Sequence, residues 1–143
     1  MGVFVAEVRP RWSDMDVFGH VNHAQTVTLL EEARVALLFS EAARHGVTDL
    51  AKGVVVVKLT VDFRAPLLHT GEDVRVELSV QELRYASFTL AHTIRAGKRA
   101  DSPVAVQAEV LLAAYGIASS SPRRLTDAER DFLAGWRAGG TGA

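Results

Sequence analysis

The sequence predicts an α+β domain in which one long helix is combined with about five antiparallel strands. Three observations carry that prediction. One run of helical periodicity extends from about Ala24 to His45, four later segments carry a period of two, and a single strand signal precedes the helix.

Val3 to Arg11 opens the chain with apolar and polar residues alternating through Val8, and Pro10 marks the frayed or edge end of a first strand. Trp12 to Asn22 reads as a loop, broken by Ser13, Asp14, Asp16, Gly19 and Asn22. From Ala24 the period becomes helical. Val27, Leu30, Ala33, Leu37 and Leu38 make one apolar stripe, with Glu31, Glu32, Arg34 and Glu41 largely off it. Gly46 is placed to end the helix in a left-handed conformation. Val54 to Phe63 is β-branched and alternates from Val57, so that Val57, Leu59, Val61 and Phe63 share a face. Arg64 to Asp73 is a turn region. Val74 to Leu83, Tyr85 to Ile94 and Val104 to Tyr115 are the remaining strands, and Ala118 to Arg124 reads as a loop. Thr126 to Trp136 is a short helix with Thr126 as N-cap and Glu129 three residues on, a capping box. The terminal GGTGA is expected to fray.

With 143 residues, 48% of them hydrophobic, the chain is expected to be one domain over 1–143, with its core at about 3–117 and the short helix at about 126–136. The formal net charge is −1 and no basic stripe is present, so nucleic acid is not an expected partner. No apolar run approaches the roughly 18 residues needed to span a bilayer, and the N-terminal residues lack a signal-peptide pattern. The chain has no cysteine, which excludes disulfides, thiolate metal sites and a cysteine nucleophile, and fits a cytoplasmic protein. An open edge strand in the expected sheet predicts at least a dimer, with the sheet continued across the interface.

The loop before the helix holds the densest chemistry. Asp14, Asp16, His20, Asn22 and His23 fall within ten residues. Caps alone account for acids and asparagine at a helix start. Asp16, His20 and His23 also offer metal-binding residue types. The third possibility is a reaction centre. A helix N-terminus presents unpaired N–H groups and a positive dipole to a carbonyl, and a nearby carboxylate attacks its carbon or activates a water to do so.

The order Trp12-Ser13-Asp14-Met15-Asp16-Val17-Phe18-Gly19-His20-Val21-Asn22-His23-Ala24 resembles the acyl-CoA thioesterases of the hotdog-fold superfamily, particularly the 4-hydroxybenzoyl-CoA thioesterase-like and YbgC-like group. Asp62-Phe63, Pro66, Gly71-Glu72-Asp73, Arg84 and Ser87-Phe88 stand where that family has its later landmarks, so the resemblance covers roughly residues 3–117. The string Asp16, His20, Val21, Asn22 is also similar to acyl-ACP thioesterases, although Phe18 stands where they usually have asparagine.

The resemblance implies a hotdog fold, a long central helix wrapped by a five-stranded antiparallel sheet. It implies hydrolysis of an acyl-CoA to a free acid and CoA without metal or bound cofactor. Asp16 becomes the catalytic nucleophile or general base, and His23 supplies an oxyanion-hole N–H or orients the acyl group or water. His20 and Asn22 take part in the site or hold the loop. Asp14 is expected to be structural, paired with Arg11 or a backbone amide, and Glu31 and Glu32 to be solvated. Lys58, Arg64 and Arg84 are candidates for the CoA phosphates, and Ser87 for the pantetheine arm. Arg95, Lys98, Arg99, Arg123 and Arg124 are expected to be ordinary solvated charges, and His69 and His92 have no assigned role. A homodimer or a homotetramer built as a dimer of dimers is implied, with the active site at the dimer interface. The rival readings are an acyl-ACP thioesterase and a non-catalytic acyl-CoA or acyl-ACP binding module. Dehydratase strings are absent from the sequence. Aromatic, short and long acyl groups all stay open.

Overall fold

The computed structural model describes residues 2–138. The fraying expected of GGTGA falls outside them. Strand β1 (Phe4–Val8) is followed by a 3-10 turn at Trp12–Asp14 and by helix α1 (His23–Val35). The helix runs on through a π-helical segment, Ala36–Glu41, into α2 (Ala42–Arg44). A 3-10 turn at Leu50–Lys52 leads into β2 (Val54–Phe63), β3 (Val74–Leu83), β4 (Ser87–Arg95) and β5 (Val104–Gly116). The two-residue β6 (Ser121–Pro122) and helix α3 (Asp127–Ala134) complete the fold.

The sheet order is β1-β3-β4-β5-β2, every pair antiparallel, with β6 added to β5. The predicted α+β layout is present as one long helix and a curled sheet. The segment expected to be loop at Ala118 to Arg124 contributes the short sixth strand. The predicted single helix is interrupted by π winding, yet Leu37, Leu38 and Ala42 all stay buried across it. Its end is as expected. Gly46 adopts φ +77°, Gly46 N–H donates to Ala43 O, and Val47 N–H donates to Ala42 O, a Schellman ending.

The period of two in β3, β4 and β5 builds the inner wall. Val76, Leu78, Leu90, Ile94 and Val110 are fully buried and meet Leu30 and Leu37 from the helix. Each such side chain contributes about 1.5–3 kcal/mol of burial. Helix α1 packs on β1 and β3. Phe4 and Trp136 close that side edge to face, 5.4 Å between ring centres.

β2 is different. Val55, Val56, Val57, Leu59 and Phe63 are all exposed, although the strand is long and apolar. Its register with β5 shifts between Val56 and Lys58, so Val57 falls in a bulge. The shared face predicted for Val57, Leu59, Val61 and Phe63 therefore holds only for the last three.

Candidate active site

The loop expected to carry chemistry is held by backbone bonds, within itself and to the segment at Leu67. Met15 and Val21 form an antiparallel bridge, Asp16 N–H donates to His20 O (2.8 Å), and Val21 N–H donates to Leu67 O (2.8 Å). The turn closes with Gly19 N–H on Asp16 O, and Gly19 takes φ +78°, the left-handed region its missing Cβ permits.

Asp14 and Asp16 take different roles within this frame. Asp14 is buried and bonded to Arg11 twice over. It accepts the Arg11 backbone N–H (2.8 Å) and the guanidinium Nη2 (2.9 Å). Burial pushes its carboxyl up, but the Arg11 bonds outweigh that and hold it below the usual range. Asp14 is a structural clasp, as expected. Asp16 is only half-buried. The protein hydrogen bonds to its carboxylate both fall on Oδ1, from Phe18 N–H (2.9 Å) and, longer, His20 N–H (3.4 Å). Oδ2 is left for another partner.

Asn22 is the N-cap of α1. Its Oδ1 accepts Ala24 N–H (2.9 Å), and its own N–H donates to Asp14 O (2.8 Å). Thr26 N–H bonds to Asn22 O. The amides of His23 and Gln25 therefore sit in the first turn without an intrahelical acceptor. Asp16, His20, His23, Thr26, Phe63, Arg64 and Val106 line one open concavity of about 400 Å³. It brings a carboxylate, two exposed imidazoles and a helix start together over an apolar floor. Among the described residues no group of three His, Asp or Glu side chains is gathered closely enough to hold a metal ion.

The four predicted CoA contacts divide. Arg64 borders the Asp16 concavity, whereas Lys58, Arg84 and Ser87 line a separate groove of about 270 Å³ with Glu82, Thr89 and Glu109. Arg84 pairs there with Glu82. Glu31 and Glu32 are exposed, as expected of a solvated helix face.

Three expectations need correction. Arg123 is not a solvated charge. It forms a two-pronged pair with the fully buried Glu129 (2.8 and 2.9 Å), and its Nη2 also donates to Asp49 O. Arg95 is held, half-buried, against Glu77 (3.1 Å) because Glu77 stands near it across β3 and β4. Arg34, read as lying off the apolar stripe, is buried at 7% exposure. The available signal was its spacing, four residues from Leu30 and seven from Val27, which puts it on that stripe.

The family model of the thioesterase-like superfamily matches residues 10–135, and the chain belongs to that superfamily. It is a thioester hydrolase by membership. No curated protein matches the sequence. Among solved structures, a thioesterase from Thermus thermophilus, complexed with coenzyme A and zinc, is 25% identical over 92% of each chain, with a TM-score of 0.73. A 1,4-dihydroxy-2-naphthoyl-CoA thioesterase from Synechocystis is 17% identical, covers 92% of this chain and 96% of its own, and gives a TM-score of 0.75. The PA5185 protein from Pseudomonas aeruginosa is 21% identical, covers 94% and 92%, and gives 0.79. These last two establish likeness of fold. No helix among the described residues is long and apolar enough to cross a membrane.

Proposed function

We propose that this protein is a single-domain, cytoplasmic hotdog thioesterase that hydrolyses an acyl-CoA to the free acid and CoA, with Asp16 as the catalytic carboxylate. The observation that carries this reading is the Asp16 carboxylate itself, anchored through Oδ1 while Oδ2 stays open beside the start of α1. A coenzyme A complex of the Thermus relative supports CoA as the thiol half of the substrate.

As general base, Asp16 takes a proton from a water while the water oxygen attacks the thioester carbon. As nucleophile, Asp16 attacks that carbon itself, and water then hydrolyses the resulting anhydride. In both routes the carbonyl oxygen becomes an oxyanion that accepts the free N–H of His23 at the positive end of α1. The C–S bond then breaks, and the thiolate of CoA leaves and takes up a proton. His20 and the His23 imidazole border the reacting carbonyl, and Asn22 fixes the helix start that aims the N–H. Arg64 faces the CoA phosphates at the concavity, while Lys58, Arg84 and Ser87 reach them from a second copy of the chain. The long exposed apolar β2 supports pairing of copies through that edge, and a dimer of dimers is the expected assembly.

The test is thiol release from a panel of acyl-CoAs by wild type and Asp16→Asn. A thiol-reactive dye has no background from this cysteine-free chain. The expected result is turnover of one acyl class and a loss of about 10² or more in kcat for Asp16→Asn. Binding of acyl-CoA without release would favour a binding module, and release only from an acyl carrier protein would favour an acyl-ACP thioesterase.

A further inference from the structure

We infer that Arg34 and His92 form a polar end wall to the acyl channel, and that the acyl group this enzyme accepts carries a carboxylate at the end remote from the thioester. The inference rests on the thioesterase reading above and adds the substrate class.

Both residues are buried where a small core should be apolar. Arg34 is 7% exposed and its Nη1 has no hydrogen-bond partner, while His92 is 1% exposed and its ring has only a loose contact with the Leu90 backbone. The acid felt by Arg34 is Glu31, on the exposed side of the helix, and no bond joins them. Removing a cation from water without a partner is strongly unfavourable. The same chain provides the contrast. Half-buried Arg123 has both prongs on Glu129 and a third bond to a carbonyl, and half-buried Arg95 meets Glu77. A structural arginine here receives its acid from the chain, and Arg34 does not.

Position ties the pair to the active site. His23, Val27, Leu30 and Arg34 follow i, i+4, i+7 and i+11, one line along the helix. Arg34 therefore lies on the flank that His23 presents to the concavity, about 16 Å further along at about 1.5 Å per residue. The sheet gives the same direction. Val106 and Phe63 border the concavity and pair with each other, and one inward row further on, about 7 Å away, Val61, Ala108 and His92 stand side by side. Leu30 and the small Ala108 are buried in the same core.

The chemistry of the pair selects the ligand. Burial first, and the Arg34 charge second, push the His92 imidazole down to about 3 against a smaller opposing pull from the Leu90 backbone, so it is neutral near pH 7 with a single N–H. A guanidinium with an unused prong beside a neutral N–H donor matches a carboxylate, which accepts both. An alkyl terminus would leave the buried Arg34 prong unpaired.

The experiment compares two matched series of acyl-CoAs, monothioesters of straight-chain dicarboxylic acids and simple acyl-CoAs of equal length. Each is assayed with wild type, Arg34→Met and His92→Gln, and the thermal stability of each variant is recorded. Wild type is expected to favour a carboxylated member by about tenfold or more in kcat/KM. Arg34→Met should abolish that preference, chiefly through KM, while hydrolysis of the simple substrate holds or rises. Methionine fills the volume without the unpaired charge, so the variant should fold at least as well. His92→Gln keeps a donor and should retain part of the preference. A wild type that favours the uncharged series at every length overturns the inference, as does an Arg34→Met that slows both series equally. The second result would assign the charge to an acid of a second copy. If neither series is hydrolysed, the thioesterase reading fails separately. Thermal stabilisation by the free dicarboxylic acids, lost in Arg34→Met, then decides the inference: its presence supports the carboxylate site and its absence overturns it.

Discussion

The two capped helix starts of this protein use the same local chemistry to opposite ends. At α3 the side chains of the capping pair are fully used. Thr126 Oγ1 accepts Glu129 N–H (3.1 Å), Glu129 Oε1 accepts Thr126 N–H (2.7 Å), and both carboxylate oxygens of Glu129 also meet Arg123. At α1 Asn22 likewise caps one amide, but Asp16 beside it uses only one of its two oxygens. A closed set of bonds stabilises the fold, and the open carboxylate is what the proposed reaction requires. An acid near a helix start is informative only when its partners are counted.

That contrast can be broken most sharply with Glu129→Ala. Leaving half-buried Arg123 without its buried acid should cost about 3 kcal/mol of stability, read from urea unfolding, while the folded variant keeps wild-type kcat. Asp16→Asn should do the reverse, changing unfolding by less than about 1 kcal/mol while losing the activity. Parallel losses of stability and activity in both variants would erase the distinction between the two starts.

The Arg34–His92 pair is a third region, open like α1 but buried like α3, and acid separates it from both. The folded His92 pKa is depressed from 6.5 to about 3, so the unfolded chain binds the proton first. Stability contributed by neutral His92 is fully present above pH 6.5 and is lost as pH falls from 6.5 towards 3. At about 1.4 kcal/mol per pH unit this reaches several kcal/mol. Burial pushes the Glu129 carboxyl up, but its Arg123 and Thr126 bonds outweigh that and net lower it, so its contribution is lost only below about 4.5. Between pH 6.5 and 4.5 the slope should therefore belong to His92. His92→Gln should flatten unfolding free energy across that window, and an unchanged slope would show that His92 is accessible to protons in the fold.

Much of this was legible in the sequence because the relevant forces are local. Periods of 3.6 and 2, Gly46 after the helix, and the Thr126–Glu129 spacing each specify a bond or a face within a few residues, and the elements appear where those signals stand. Asp14 and Arg11 were legible for the same reason, three residues apart. What stayed hidden depends on distant partners. The pairing of Arg123 depends on Glu129, Asp49 and Gly53, the last two seventy or more residues away. The burial of Arg34 beside His92 requires the helix to be laid on the sheet. The bulge at Val57 is a register event between β2 and β5 that alternation along one strand does not encode.

The smallest expected effect separates the two helix starts most cleanly. Asn22→Ala and Thr126→Ala each remove one side-chain cap, and each should cost about 1 kcal/mol. Equal stability losses make the pair a matched control. Thr126 sits in a closed network remote from the concavity, so Thr126→Ala should leave kcat/KM where it was. Asn22 holds the first turn whose His23 amide, in the proposed mechanism, meets the carbonyl, and an oxyanion donor displaced by a fraction of its bond length loses much of its value. Asn22→Ala should therefore lower kcat at nearly constant KM, since the effect falls on the transition state and not on ground-state binding. Equal kinetics in the two variants would mean that the start of α1, like that of α3, is only a cap.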